Sequence, residues 1–207
     1  MKVFPLLLLI VFTMVSTHGG ILGNLELYDT YGLSLEGIKC WEIWQLVTYS
    51  LLHGTWGHVL VNVVLLYFIG RKLNGVLSKR VSLHVALIGC LLGGVSHLLL
   101  TIFLPQSEQG LLVGSSGVVM ALFLCVTTLD GDRYYPIFRI RARFLGLGFL
   151  LSSLILALFT PSLGIPGFSI IGGCLAELIG DEIFYVSHAC HFGGGLAGLI
   201  CAKKHKI

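Results

Sequence analysis

The chain has 207 residues, of which 56% are hydrophobic and only 11% are charged. Soluble domains carry about 25% charged residues, so this composition excludes an ordinary soluble protein and indicates a protein embedded in a membrane. The formal net charge of +3 reflects how basic residues are distributed among the loops and does not suggest nucleic-acid binding. No loop is long enough for a soluble domain, and we expect residues 1–207 to form one membrane domain.

Six apolar segments follow one another along the chain, most of them close to the roughly 20 residues that a helix needs to cross a bilayer. Helices are the expected spanning elements because they satisfy their backbone hydrogen bonds internally in lipid. The sequence therefore predicts an all-α membrane protein, a bundle of six transmembrane helices. The spans are predicted at roughly 3–20, 57–72, 81–104, 112–129, 144–161 and 185–202.

The first apolar segment is short and has a second interpretation. Lys2, the apolar run from Phe4 to Val15 and the following Ser16-Thr17 resemble a signal peptide. The small-residue pattern expected at a cleavage site is poor, which favours a retained span. Removal of this segment would leave the orientation of the other five spans unchanged.

Basic and acidic residues are sorted between alternate loops. All of the 13 Lys and Arg residues except Lys39 lie before span one or after spans two, four and six. All of the 10 acidic residues except Asp130 and Asp132 lie in the other loops. Because cytoplasmic loops collect Lys and Arg, we expect both termini in the cytoplasm and the heads of spans two, four and six at the outer face.

Each of these three heads carries polar groups suited to catalysis. His58 and Asn62 are four residues apart on span two and share one helical face. Ser116 stands between small residues at the head of span four, and His191 stands at the head of span six. Polar groups at one depth in a membrane protein are taken as a functional site by default.

The residue types indicate acyl transfer. Ser116 is the candidate nucleophile, and His191 is the candidate base because imidazole accepts a proton near neutral pH. No acidic residue lies in a span to orient the histidine, which favours a Ser-His dyad over a triad. His58, Asn62 and the backbone N–H of Ser116 are hydrogen-bond donors suited to an oxyanion hole.

Small residues accompany the candidate base and nucleophile. Gly194 and Gly198 lie near the helical face that carries His191, and Gly117 follows Ser116. Small residues four apart let membrane helices approach closely. We therefore expect the sixth span to pack tightly against the fourth, as a Ser-His hydrogen bond requires.

Structural roles and zinc binding are alternatives to the catalytic interpretation of these residues. A single Ser or His in a membrane helix more often makes a helix contact, and glycine-rich spans are usually packing surfaces. Four histidines offer zinc ligands, but no Cys or carboxylate completes an evident site and HExxH is absent; they are His53, His58, His188 and His191. We expect no metal. His84 and His97 on span three have no partner motif and are expected to pack or to face lipid.

Three short patterns in order resemble the rhomboid family of intramembrane serine proteases. They are HxxxN at 58–62, GxSG at 114–117 and HxxGxxxG at 191–198, on the second, fourth and sixth spans. The segment from Trp44 to His53 resembles the family's WR segment and the histidine that follows it. The resemblance extends from about Trp41 to Ala202. Each pattern is weak alone, but three on the expected spans and side are specific.

The resemblance implies a mechanism and a substrate class. Ser116 would be the nucleophile, His191 the general base, and His58, Asn62 and the Ser116 backbone the oxyanion hole. The family needs no metal, ATP or organic cofactor, and it cuts single-span membrane proteins in the lipid bilayer where helix-breaking residues let the strand unfold. The compact six-span form is similar to bacterial members, which implies the bacterial inner membrane and a site opening to the outer face.

Two residues depart from the family pattern, and other functions stay open. Gln45 replaces the usual arginine, and Met120 replaces an aromatic residue four positions after the serine. The alternatives are a catalytically inactive relative that binds membrane proteins, and a relative that processes C-terminal sorting signals of exported proteins. A channel is disfavoured because spans three to six lack charged or repeated polar residues. The segment from Ser162 to Tyr185 is predicted as a loop that covers the site.

Overall fold

The structure is a computed structural model that describes residues 9–13, 25–104, 110–135 and 139–205. Helices dominate these residues, and a two-residue antiparallel hairpin, β1 (Tyr134–Tyr135) and β2 (Ile140–Arg141), joins two of them. The helices are α1 (Leu25–Tyr31), α2 (Leu35–Lys39), α3 (Gln45–Thr48), α4 (Trp56–Leu73), α5 (Lys79–Thr101), α6 (Ser116–Leu129), α7 (Ala142–Leu158), α8 (Phe168–Ile179) and α9 (His188–His205). Short 3-10 turns lie at Tyr49–Leu51, Pro161–Leu163 and Asp181–Phe184.

Two of the long helices, α4 and α5, begin at capping side chains, and α4 also ends at basic residues. The Thr55 hydroxyl accepts a hydrogen bond from the backbone N–H of His58 at the start of α4, and Ser78 caps α5 in the same way. Such caps satisfy backbone N–H groups that have no partner inside the helix. Arg71 and Lys72 lie in the last turn of α4, where the negative end of the helix dipole favours cations.

Helix α6 forms the centre of the bundle. Most of its side chains are buried, and it packs against α4, α5, α7 and α9. The backbones of α6 and α9 are in direct contact, since a Cβ on Gly198 would collide with the backbone of Ala121. Gly89 on α5 similarly leaves room for the side chain of Ala121. Small residues thus let three helices approach closely, as in other membrane bundles.

One described helix, α5, is by itself long and apolar enough to cross a bilayer. The segments Gln45–Leu51 and Trp56–Leu73 pass the same test only together, and they are bent by 96° where they join. Helices α6, α7 and α8 are apolar but shorter. The predicted count of six spans is therefore not confirmed. The predicted span at 3–20 lies outside the described residues except for a helical turn at residues 9–13.

The segment from Ser162 to Tyr185 is predicted from the sequence as a loop, but part of it is helical. It contains α8, an apolar helix of 12 residues. Gly164 and Gly167 have positive φ angles of 63° and 81° before this helix, which suits residues without a Cβ. Gly172 instead lies inside α8, where a Cβ would collide with the carbonyl of Phe159 at the end of α7. Gly172 therefore serves the packing of α8 against the end of α7.

Candidate active site

A cavity of about 1460 Å³ lies at the end of the bundle where α4, α6 and α9 begin. Ser116, His191, His58 and Asn62 all line it. The fold therefore brings together side chains that are far apart in sequence. Helices α5 and α7 and the segments 110–113, 160–162 and 184–187 contribute other parts of the wall.

Two adjacent serines precede or begin α6, and they face different surroundings. Ser116 is half-buried and lines the cavity. Ser115 is fully buried, and its hydroxyl lies 3.4 Å from Nε2 of His53. Only Ser116 is therefore presented to a molecule in the cavity.

The turn before Ser116 depends on a glycine. Gly114 has a φ angle of 118°, which L-residues with a Cβ rarely adopt. A Cβ at this position would also lie 2.6 Å from Nε2 of His58. The backbone N–H of Gly114 donates to the carbonyl of Tyr49 at 2.9 Å. The His58 ring consequently lies directly against the turn that carries Ser116.

His191 occupies the first turn of α9. Its Nε2 atom is buried and has no hydrogen-bond partner among the described residues, and no hydrogen bond joins it to the Ser116 hydroxyl. In the tautomer with its proton on Nδ1, His191 would present the lone pair of this nitrogen to a proton donor. Catalytic hydrogen bonds are often long in unliganded enzymes and form when substrate binds.

The helices that carry Ser116 and His191 are in direct contact near the cavity. A Cβ on Gly194 would lie 2.9 Å from the Cα of Gly117, and closer still to its carbonyl oxygen. One helical turn further, Gly198 lies against the backbone of Ala121. We call this line of contacts, made by Gly117, Ala121, Gly194 and Gly198, the glycine seam. It leaves no room for a larger residue between the two helices.

His53 is a site residue whose part the sequence analysis did not identify. It is fully buried, and its Nε2 lies 3.1 Å from Nδ2 of Asn62 and 3.5 Å from the backbone nitrogen of Ser115. Because an amide NH₂ and a backbone N–H only donate, this nitrogen must accept and therefore be unprotonated. Burial, and secondarily the neighbouring His58, lower the pKa of His53 to about 4. His53 is thus neutral near pH 7 and holds the Asn62 amide.

Tyr49 connects the same region to the bundle. Its side chain is fully buried, and its hydroxyl donates to the carbonyl of Cys90 on α5 at 2.8 Å. The hydroxyl also lies 3.7 Å from the thiol of Cys190, next to His191. Since the Tyr49 carbonyl accepts from Gly114, one residue contacts the elements that carry both candidate catalytic groups. Nothing in its sequence position distinguished it from an ordinary aromatic.

Gln45 replaces the family's arginine, and its environment explains how an amide serves there. The side chain is fully buried. Its Oε1 accepts from the backbone N–H of Ser34 at 3.1 Å, and its Nε2 donates to the carbonyl of Asp29 at 3.0 Å and to the Glu42 carboxylate at 2.6 Å. Arginine has no acceptor and would lose the contact with Ser34. Gln45 thus joins α1, the residue before α2 and the turn before α3.

Met120 and His97 also line the cavity. Met120 is 9% exposed and packs in a cluster with Leu124 and Leu150, so it fills the position where the family often has an aromatic. His97 was expected to pack or to face lipid, and the second expectation is wrong. It faces the cavity, with Nδ1 2.9 Å from the hydroxyl of Ser187, whereas His84 on the same helix is exposed.

The four histidines considered as zinc ligands form two pairs. The His53 and His58 ring centres are 4.9 Å apart, and those of His188 and His191 are 6.0 Å apart. Within the part of the chain that the structure describes, no three His, Cys, Asp or Glu side chains come together in a group that would hold a metal.

These features define a helical membrane protein with a serine, a histidine and hydrogen-bond donors around one cavity. The family model of the Rhomboid domain matches residues 40–204 of the 207-residue chain, so the chain belongs to the rhomboid family. It is therefore an integral membrane protein of a family whose members are generally intramembrane serine proteases. The chain matches no curated protein.

Proposed function

We propose that this protein is an active intramembrane serine endopeptidase that uses Ser116 and His191 as a catalytic dyad. The observation that carries the proposal is the shared cavity. Ser116 lines it at the start of α6, and His191 lines it with a buried Nε2 that has no hydrogen-bond partner among the described residues. A nucleophile and a free base on two helices in direct contact are the minimum for acyl transfer.

The reaction proceeds in two halves. The Ser116 hydroxyl oxygen attacks the scissile carbonyl carbon, and Nε2 of His191 takes the hydroxyl proton. The C–N bond then breaks, His191 returns the proton to the leaving amine, and an acyl-enzyme remains on Ser116. Water attacks this ester with His191 again as base, which releases the new carboxyl end and restores the serine.

Each tetrahedral intermediate carries an oxyanion that needs hydrogen-bond donors. The backbone N–H of Ser116, the Asn62 amide and the His58 ring are the proposed donors. Asn62 has two N–H groups; one points at His53, which leaves the second for the oxyanion. Donors held in place before the reaction stabilise its charge without reorganisation.

The substrate is proposed to be a transmembrane segment that enters from the side. Val61 and Leu65 on α4 and Phe149 and Ser153 on α7 line the cavity. Val61, Leu65 and Phe149 are also exposed on the outside of the bundle, so an apolar segment can pass from lipid to Ser116 between these helices. Single-span membrane proteins are the proposed substrates. The C-terminal sorting signal of an exported protein is an alternative substrate of the same kind.

The site is proposed to face outward, with six spans and both termini in the cytoplasm of a bacterium. Arg71 and Lys72 end α4, and Lys203 and Lys204 end α9, opposite to the cavity. To test this, a variant keeping only the exposed Cys40, which follows α2 in the segment before α4, should react with an impermeant maleimide added to intact cells. A cysteine at the exposed Val76 should react only after lysis. The reverse pattern would contradict the orientation.

The decisive experiment measures cleavage of a single-span model substrate in liposomes together with labelling by a fluorophosphonate. The unmodified protein should do both. Ser116→Ala and His191→Ala should abolish both without loss of fold, whereas Ser115→Ala should cause a much smaller loss. Essential Ser115 with dispensable Ser116 would contradict the proposed nucleophile.

The second candidate is a catalytically inactive relative that binds membrane proteins. The observation that favours it is the missing hydrogen bond between Ser116 and His191 in the described structure. The same experiment separates the two functions, because an inactive relative would bind the substrate without cleaving it and would not react with the fluorophosphonate.

A further inference from the structure

His97 lies in a polar contact between α5 and the head of α9. Its Nδ1 is 2.9 Å from the Ser187 hydroxyl, and its Nε2 is 3.4 Å from the Thr101 hydroxyl. The ring also interacts with the backbone of Gly110, in the segment that leads to Ser116. His97 and Ser187 both line the cavity, yet the proposed chemistry uses neither.

Ser187 is the residue immediately before α9. Its hydroxyl oxygen accepts the backbone N–H of Cys190 at 3.2 Å, and its carbonyl accepts the backbone N–H of His191 at 3.1 Å. The hydroxyl therefore caps the helix that carries the base. Any side chain that holds Ser187 also holds the first turn of α9.

The donors and acceptors of His97, Ser187 and Thr101 can all be paired at once. The Ser187 oxygen already accepts from Cys190, so its proton is free to be donated to Nδ1 of His97. The Thr101 hydroxyl donates to the carbonyl of His97 at 2.8 Å, so its oxygen can accept from Nε2–H. A neutral His97 with its proton on Nε2 satisfies both hydroxyl partners.

The segment just before α9 is joined to it by His188, whose Nε2 lies 2.7 Å from the carbonyl of Ile183, but this contact does not reach α5. Asp181–Phe184 is a 3-10 turn, and the side chains of Tyr185 and Val186 are 80% and 45% exposed. The glycine seam begins further along, at Gly194. Before the seam, Cys190 packs against Gly93 on α5 and Gly117 on α6, and the contact of Ser187 with His97 adds a polar attachment to α5 at the residue immediately before α9.

We infer that His97 is a positioning residue, which fixes the head of α9 to α5 through Ser187 and so sets the distance from His191 to Ser116. The inference rests on the proposed function. It requires His97 to accept a hydrogen bond, and it gives His97 no contact with the reacting atoms. A displacement of about 1 Å costs up to about 10²-fold in rate, so loss of this contact should lower turnover.

The test compares three substitutions on one helix, using the full protein in liposomes. His97→Phe keeps a flat ring but removes the acceptor, His97→Gln keeps an acceptor and a donor, and His84→Ala removes an exposed histidine of the same helix. We expect His97→Phe to lower kcat by about tenfold or more with little change in KM. His97→Gln should restore most of the turnover, and His84→Ala should match the unmodified protein.

A double mutant with Ser187→Ala sharpens the test. If His97 acts through Ser187, His97→Phe should add little to the loss already caused by Ser187→Ala. Equal turnover in His97→Phe and His84→Ala, fully additive losses, or equal loss in His97→Phe and His97→Gln would each overturn the inference. None of these three outcomes would contradict the proposed function. The proposed function fails if Ser116→Ala still cleaves substrate or if the unmodified protein does not.

Discussion

The two ends of the bundle both carry polar side chains, but they use them differently. At the cavity end, buried uncharged groups bond to one another, as in the contact of His53 with Asn62 and Ser115. At the opposite end, exposed charges pair at the surface, as in the contacts of Asp132 with Arg141 and Arg143 at 3.4 and 3.1 Å. Buried hydrogen bonds hold geometry because an unpaired partner is costly, whereas exposed ion pairs contribute little.

The largest expected effect is the loss of turnover caused by a substitution at the cavity end of the bundle. Asn62→Ala removes a proposed oxyanion donor and should lower kcat by about 10²–10³-fold while substrate still binds. Cleavage rates in liposomes at saturating substrate measure the effect. Full activity in Asn62→Ala would exclude this residue from the mechanism.

The second prediction concerns pH and the buried acceptor at the cavity end. The pKa of His53 is lowered from 6.5 to about 4, so below pH 6.5 the unfolded chain takes up a proton that the folded protein does not. Stability from this residue is therefore complete above pH 6.5 and is lost as the pH falls towards 4, by about 3 kcal/mol at most.

The matched variant is His53→Gln, which keeps an acceptor for Asn62 but does not titrate. Thermal unfolding between pH 7 and pH 4 should show a weaker loss of stability in this variant than in the unmodified protein. Identical pH profiles would mean that folding does not lower the pKa of His53, which would contradict the prediction.

The third prediction concerns the glycine seam, which connects the two ends. A methyl group at Gly198 would collide with the backbone of Ala121, whereas one at Gly173 on α8 would meet no atom within 4 Å. Gly198→Ala should therefore destabilise the protein by about 1–3 kcal/mol and lower activity with it. Gly173→Ala makes the same chemical change and should do neither. Equal melting temperatures for Gly198→Ala and Gly173→Ala would show that the glycine seam tolerates a methyl group.

The smallest effect is expected at the charged end. Asp132 is exposed, and its two ion pairs should together contribute no more than about 1 kcal/mol. Asp132→Asn should leave cleavage unchanged and shift the melting temperature by little, with the shift shrinking further at high salt. A large loss of stability would show that this end is held as specifically as the cavity end.

The sequence pointed to the candidate site residues because each stands in a short local pattern. His58 and Asn62 share a helix face by their spacing alone, and Ser116 and His191 stand at the heads of apolar segments. His97 could not be identified in this way, because its partner Ser187 is 90 residues away. Tyr49 was missed for the same reason, since its hydroxyl contacts come from Cys90 and Cys190.

The sequence by itself determined the class of the protein, the family and the end of each helix at which the polar groups lie. Composition, apolar length and local spacing carry that information, since each depends on neighbours in the chain. Only the tertiary structure decided that Ser115 is bound to His53 while Ser116 faces the cavity, and that α8 replaces an expected loop. Those outcomes depend on contacts between distant segments, whose close approach no local pattern encodes.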